Sequence, residues 1–504
     1  MSTANPATPA AVIVLAAGEG TRMRSAVPKV LHEICGRTLL GHVVAACQEL
    51  VPGHPENVVV VTGHARERVT AHLAEAAPGV TTAVQHELRG TADAVRVALR
   101  ALAERDGSSP DGTVLVTCGD TPMQTGETLA ALAATHEAEG NAVTVLTMEV
   151  PDPTGYGRVV RAADGTVTEI VEHRDASPEQ REIREVSSGI LAFDGKLLAE
   201  ALGRVRADNS QNEEYLPDVV RILGADGHRV GARLAADYRE LAGVNDRVQL
   251  ARARRMLNDR LLQRAMLRDG VTVVDPATTW VDADVTFERD AVIHPGTQLL
   301  GATHVGAGAE VGPSSRLTDT VVGAGAEVSF TVAVGARVGE GARVGPYAYL
   351  RPGTVLGASA KAGTFVEMKN ADIGEGTKVP HLSYVGDATI GEHTNIGAAT
   401  VFVNYDGESK HHTTVGSYCK TGSDNMFVAP VTIGDGAYTA AGSVITRDVP
   451  PGALGVARGQ QRNIEGWVAR RRPGTAAARA AEAAQAARDT DQAREESQRE
   501  IENS

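Results

Sequence analysis

Small aliphatic residues recur every six positions through much of the C-terminal half, commonly with a glycine behind them. They are Val305 and Val311; Val322, Val328 and Val334; Val338 and Val344; Ile373, Val379 and Val385; and Ile390 and Ile396. A later set, Val415, Thr421, Phe427 and Ile433, keeps the spacing with other residue types. A six-residue repeat marks a parallel β-helix, in which the periodic side chain points inward and glycine supplies the turns. Such a coil has room inside for Val, Ile and Ala but hardly for rings. That accounts for two oddities of composition: 54 glycines in 504 residues where about 7% is usual, and only 3% aromatic residues. The period breaks over VFVNYDGESKHH (401–412), which predicts an external loop, a place where functional residues collect.

The first half has a different grammar. AVIVLAA, ENVVVVTG, TVLVTCGD and NAVTVLTMEV read as buried parallel strands, and TADAVRVALRALAERDG between them carries apolar residues at helical spacing. This predicts an α/β sheet with crossover helices over 1–241. NDRVQLARARRMLNDRLLQRAMLR (245–268) lacks Gly and Pro and reads as a linker helix within 242–270. The coil then spans 271–472. The Ala-, Glu-, Gln- and Arg-rich tail 473–504 offers almost no apolar face, so disorder is expected there.

With 49 Lys plus Arg against 63 Asp plus Glu, the net charge is −14. That argues against nucleic acid as a partner and means that anionic ligands must be met by local cations. Four scattered cysteines without a CxxC pair suggest neither a disulfide framework nor a zinc site. The first apolar run lacks a basic leader and enters a glycine loop directly, and nowhere do about 18 apolar residues run uninterrupted. No membrane partner and a cytoplasmic location are expected.

LAAGEGTRM, ending in PKVLHEICG, puts a glycine turn at the C-terminal edge of the first strand, where ligands of open α/β sheets sit. Gly18 and Gly20 allow backbone N–H groups close to a phosphate or base, and Arg22 and Lys29 bring positive charge. The lysine spacing is wrong for a Walker A loop, and the third glycine of GxGxxG is missing. LAAGxGTRM with PK resembles the signature of the sugar-nucleotide pyrophosphorylases, or nucleotidyltransferases. Gln85 with Gly90-Thr91, Gly119-Asp120 with TP, YGRVV, VEHRDA, SSGI and AGVNDRVQL follow in order. Together with the hexapeptide half, residues 11 to 470 resemble the bifunctional bacterial uridyltransferase/acetyltransferases of UDP-N-acetylglucosamine synthesis.

The resemblance implies a Rossmann-like, mostly parallel α/β nucleotidyltransferase domain followed by a left-handed parallel β-helix. It implies UTP and N-acetylglucosamine-1-phosphate as substrates of the first. Leu15, Ala16, Ala17, Gly18 and Lys29 would line the nucleotide, with Arg22 and Lys29 catalytic. Gln85, Gly90 and Thr91 would read uracil, and Cys118, Gly119 and Asp120 follow at the next strand end. Gly157, Glu172 and Ser187 would hold the sugar. Asp120 and Asn245 would hold Mg²⁺, whose preference for oxygen ligands they suit. The sugar 1-phosphate would attack the α-phosphorus of UTP and release pyrophosphate, without a covalent enzyme intermediate. Cys118 stands where an aromatic Tyr is familiar and Ser187 where an Asn is usual. Weaker sugar or uridine binding is predicted at both.

In the coil, YLRPG, FVEMKN, KVPHLSYVGD, NIG and VNYDG place Arg351, Lys369, His381, Tyr384, Asn395, Asn404 and Tyr405. The resemblance makes His381 the proton acceptor for transfer from acetyl-CoA to glucosamine-1-phosphate, a role that imidazole suits. Arg351 and Lys369 would meet the sugar phosphate, with Tyr384 and Asn395 completing the sugar site. Ala398, Asn404, Tyr405, Ser423, Ala441 and Arg458 would bind acetyl-CoA, with a backbone N–H near Ala398 for the oxyanion. His411 and His412, beside Lys410, read as a solvated basic turn. A homotrimer is implied by the family. Two other readings stand beside this one: a single-activity nucleotidyltransferase with a structural coil, and a regulatory scaffold without chemistry.

Overall fold

The runs Ala11–Ala16, Val58–Thr62 and Thr113–Cys118 lie side by side as parallel strands, and their aliphatic side chains are buried on both faces. The computed structural model describes residues 8–502; the first seven residues of the expected 1–241 unit and the last two of the tail lie outside the described residues. The sheet runs Val230–Leu234, Val143–Glu149, Glu185–Asp194, Thr113–Cys118, Ala11–Ala16, Val58–Thr62, Thr81–Val84. Glu185–Asp194 is antiparallel to both neighbours and carries a small antiparallel ribbon, Arg158–Arg161 with Val167–Val171. Helices cover both faces, giving one aliphatic cluster on each. Thr91–Asp106 is typical: Ala92, Val95, Leu99 and Leu102 repeat at helical spacing and are buried, and Gly107 in the left-handed region ends the helix. Because the central strands are parallel, the turns after Ala16, Thr62 and Cys118 open at one edge.

A helix from Arg247 to Arg264, capped by Asp246 accepting from the Gln249 N–H, leads out of this unit. A π turn, Ala265–Asp269, and Gly270 end it. Beyond it the chain winds into short strands stacked in parallel: Val292 pairs with Glu310, Glu310 with Glu327, and Glu327 with Arg343. Each turn takes roughly three hexapeptides. The six-spaced residues, from Val305 and Val311 to Ile390 and Ile396, are buried in one continuous core except Val334, which was expected inward and is only half-buried because its neighbour Ala333 takes the inward position.

Two expectations are corrected. The coil does admit rings: Phe402 and Phe427 are fully buried, paired in register on adjacent turns, with centroids 5.2 Å apart and planes at 62°. Each ring packs edge-on against the other across adjacent turns. The tail, expected to be disordered, is helical from Ala476 to Glu502, with the Thr475 hydroxyl accepting from the Ala478 N–H at its start. Alanine's helix propensity and pairs such as Gln485 to Asp489 act without an apolar face, which the expectation had required.

Candidate active sites

At the open edge of the sheet, Leu15, Ala16, Ala17, Gly18, Lys29, Gln85, Gly90, Thr91, Cys118 and Asp120 line a cavity of about 460 Å³. Glu19, Leu88 and Glu213 line it too. Glu19 sat in a variable slot of the glycine motif, and Glu213 lies in a loop without periodicity, so neither carried a signal.

The loop holding Glu213 is fastened to the Gly90-Thr91 turn. Thr91 Oγ1 accepts from Leu216 N at 2.9 Å, and the Ala92 N–H donates to Glu214 O at 2.9 Å. Gly90 has φ 122°, and a Cβ there would lie 2.4 Å from Glu214 O, so no other residue fits. The Gln85 amide nitrogen donates to Gly90 O at 3.1 Å and to Asp93 Oδ2 at 2.9 Å. Both amide protons are thereby used, which leaves its carbonyl oxygen as the group it can offer a ligand.

Asp120 and Asn245, far apart in sequence, come together because the Val244 N–H donates to Asp120 O at 2.9 Å. Lys29 Nζ forms an ion pair with Asp120 Oδ2 and lies 3.4 Å from Asn245 Oδ1, which also accepts from Arg22 at 2.9 Å. Two oxygen donors thus share two cations at the mouth of the cavity. Among the described residues no group of three or more His, Cys, Asp or Glu could hold a metal by itself. The donor set suits a hard cation whose remaining ligands are phosphate oxygens or water.

Gly119, whose N–H donates to Leu15 O, seats this turn against the first strand. Burial, then the charge of Asp120, pushes the Cys118 thiol up to about 12. The three expected sugar residues meet farther along the edge, outside the lining of the cavity. The Ser187 N–H donates to Gly157 O at 2.8 Å, and a Cβ on Gly157 would lie 3.3 Å from Glu172 Oε1. Ser187 Oγ accepts from the Gly189 N–H. Burial, reinforced by Asp175 and Asp218, raises the Glu172 carboxyl.

On the coil, His381 begins a column set by register. Lys378, Asn395, Lys420 and Tyr438 pair successively. Three residues past each along the chain stand His381, Ala398, Ser423 and Ala441. The bonding repeats: His381 O accepts from Ala399 N at 3.1 Å, Ala398 O from Asp424 N at 2.7 Å, and Ser423 O from Gly442 N at 2.9 Å. Gly422 must lack a side chain, since a Cβ would lie 2.3 Å from Ala441 N. Arg458 follows, its Cδ 4.0 Å from a Cβ placed on Gly442. The Gly397 N–H is bonded to Thr421 Oγ1 and the Ala399 N–H to His381 O; the Ala398 N–H between them donates to no protein group among the described residues.

A second group stands beside this column. Tyr384 pairs in register with Glu367, and Glu367 accepts from Arg351 at 2.9 Å. Asn404 donates to Asp387 Oδ2 at 2.5 Å and lies 3.4 Å from the Tyr384 hydroxyl. Burial works against the Asp387 carboxylate, but hydrogen bonds from Asn370 and Asn404 and the charges of Lys369 and Lys410 hold it below the usual range. Contact with Lys369 lowers Lys410. Lys410, exposed on the loop, therefore stands close to Lys369. His411 instead closes the loop onto Asp406 at 2.6 Å, and the Tyr405 hydroxyl donates to Gly407 O.

The nucleotidyl transferase family matches residues 11–283. Bifunctional protein GlmU of Streptomyces avermitilis is 72% identical over 477 residues, covering 94% of this chain and 97% of its own. That of Streptomyces coelicolor is 72% identical over 476 residues, with the same coverage. That of Thermobifida fusca is 62% identical over 483 residues, covering 96% and 99%. With an α/β sheet that opens at a glycine turn, a coil behind it and a match over 97–99% of the length of these relatives, the chain belongs to the bifunctional GlmU proteins of the nucleotidyl transferase family.

Proposed function

We propose that two separate sites act in succession. The coil transfers acetyl from acetyl-CoA to the amine of glucosamine-1-phosphate. The α/β unit then couples N-acetylglucosamine-1-phosphate to UTP, releasing pyrophosphate and forming UDP-N-acetylglucosamine. As a GlmU protein the chain is a bifunctional acetyltransferase and uridyltransferase, using nucleotide, sugar phosphate, acetyl-CoA and a divalent metal. The observation that carries the residue-level reading is the convergence of Asp120, Asn245, Lys29 and Arg22 at the cavity mouth.

Asp120 and Asn245 would hold Mg²⁺, which when bound neutralises phosphate charge. Lys29 and Arg22, already balancing these oxygens, turn to the polyphosphate. The Gln85 carbonyl oxygen accepts from the uracil N3–H, a donor that cytosine lacks. Glu172, with Gly157 and Ser187, orients the sugar. In the coil, His381 removes a proton from the amine, whose nitrogen attacks the thioester carbon as the C–S bond breaks. The free Ala398 N–H faces the developing oxyanion. Arg351, Lys369 and Lys410 meet the sugar phosphate, since two lysines held together favour an anion between them. The small residues at 398, 423 and 441 leave a straight path for the pantetheine arm toward Arg458.

Protein supplied with acetyl-CoA, glucosamine-1-phosphate and UTP is expected to release thiol and pyrophosphate together. Gln85→Ala should lower kcat/KM for UTP about 5–30-fold, the value of about one to two kcal/mol of lost hydrogen bonding, and leave thiol release unchanged. Pyrophosphate without thiol, or equal losses with UTP and CTP, would count against this reading.

The homotrimer rests on one corner of the coil. Phe330, Tyr347, Phe365 and Leu382 stack there with φ between 45° and 60° and are 38%, 57%, 58% and 60% exposed. Tyr347 and Phe365 are parallel at 5.4 Å. Left-handed backbone under large side chains is costly, and leaving them in water recovers nothing. A second copy covering this ridge, which adjoins His381, removes that exposure. Light scattering should give three times the 52.6 kDa chain mass; a monomer at micromolar concentration would refute it. No described helix is long and apolar enough to cross a membrane, and the free cysteines and the substrates fit a cytoplasmic location.

A further inference from the structure

The helix Arg247–Arg264 was expected only to join two units, yet four of its six arginines are spent on main-chain carbonyls. Arg247 Nε donates to Met23 O at 3.2 Å, Arg254 to Glu33 O at 2.8 Å, Arg255 to Ala277 O at 3.1 Å and Arg260 to Met123 O at 2.7 Å. Met23 directly follows Arg22, and Met123 lies three residues past Asp120. Asn245 is tied to the same helix, its N–H donating to Gln249 Oε1 at 2.7 Å. The apolar side agrees: Leu250, Ala253 and Leu257 share one small core with Met23, Met123 and Val244. The far end belongs to another core, since Leu262 and Ala265 are packed inside the coil. Between the ends, fully buried Asn258 donates to Thr279 O and accepts from Val281 N, both at 2.9 Å.

We propose that this helix is a clamp belonging to the uridyltransferase, and that Arg260 is a positioning residue that holds the Asp120 turn, as Arg247 holds the Arg22 loop, in register with Asn245. The inference rests on the assignment of Asp120 and Asn245 made above. An α-helix is stiff, and its 18 residues span roughly 27 Å, so anchoring it in the coil fixes both loops relative to each other. Arg260 is itself oriented by Glu240 Oε1 at 3.3 Å, and Glu240 Oε2 accepts from Thr128 at 2.7 Å. A guanidinium on a carbonyl directs the turn without touching substrate, and support of this kind is typically worth about 10–100-fold.

The test uses full-length Arg260→Gln and Arg260→Lys, with acetyl transfer as an internal control of folding. The Gln variant should lose about 10–100-fold in uridylyl kcat with KM for UTP little changed, and need more divalent metal for half-maximal rate. Without metal or substrate, hydrogen exchange should rise in the peptide spanning 119–125 and stay unchanged across the coil. The Lys variant should recover part of both. Unchanged exchange with kcat within about twofold, a range that removing such support should exceed, would overturn the proposal. So would parallel loss of both activities, which marks general destabilisation. If Arg260→Gln is silent while Asp120→Asn abolishes transfer, the clamp fails and the site stands; if Asp120→Asn is itself active, the site assignment fails.

Discussion

Asp120→Asn is expected to lower uridylyl transfer on the order of 10³-fold while acetyl transfer continues at the parent rate. The substitution keeps the shape of the side chain and removes its charge, so the turn seated on Leu15 and Val244 has no reason to move. Lys29 loses its ion-pair partner, and the candidate metal site keeps only neutral oxygens. A divalent ion that neutralises a transferring phosphoryl group supplies several kcal/mol, and each factor of ten in rate takes about 1.4 kcal/mol. Pyrophosphate release under a metal titration reads this directly. Partial rescue at high metal concentration would show weakened binding. Turnover near the parent rate at low metal would remove Asp120 from the site.

His381→Ala is expected to produce the opposite pattern. Loss of a general base costs about 10²–10⁴-fold, so release of the CoA thiol should fall by that amount while preformed N-acetylglucosamine-1-phosphate is still coupled to UTP. The backbone of the column should survive, because His381 holds its neighbours through its carbonyl oxygen, which accepts from the Ser383 hydroxyl at 2.8 Å and from the Ala399 N–H. A variant that keeps the parent rate of thiol release would exclude His381 as the proton acceptor.

Much of the fold was legible because its signals are local. The six-residue period needs only that every inward position be small, and from Val305 to Ile396 the named positions obey it with the exception of Val334, which yields the inward place to Ala333. The parallel sheet showed itself in unbroken aliphatic runs such as Val58–Thr62, buried on both faces. That rings hardly fit was an inference from the average coil, and Phe402 and Phe427 depart from it by packing against each other on adjacent turns. The tail misled because a missing apolar face was weighed above alanine's propensity.

The sites divide along the same line. The glycine turn with Lys29, and the motifs bearing His381 and Lys369, are contiguous strings that resemble those of a known family and whose residue types suit phosphate and acyl chemistry, so the sequence with that resemblance led to the two half-reactions and to the residues proposed for them. The tertiary structure decided which of these groups meet. It set Asn245 beside Asp120, brought Lys410 to Lys369, placed Glu213 in the cavity at the sheet edge and turned four arginines of a linker onto main-chain carbonyls. Contacts of that kind join a side chain to a distant backbone oxygen or to a like charge, and neither leaves a pattern in a string of residues. They exist only once the strand order, the coil register and the helix between them have fixed where each chain segment ends.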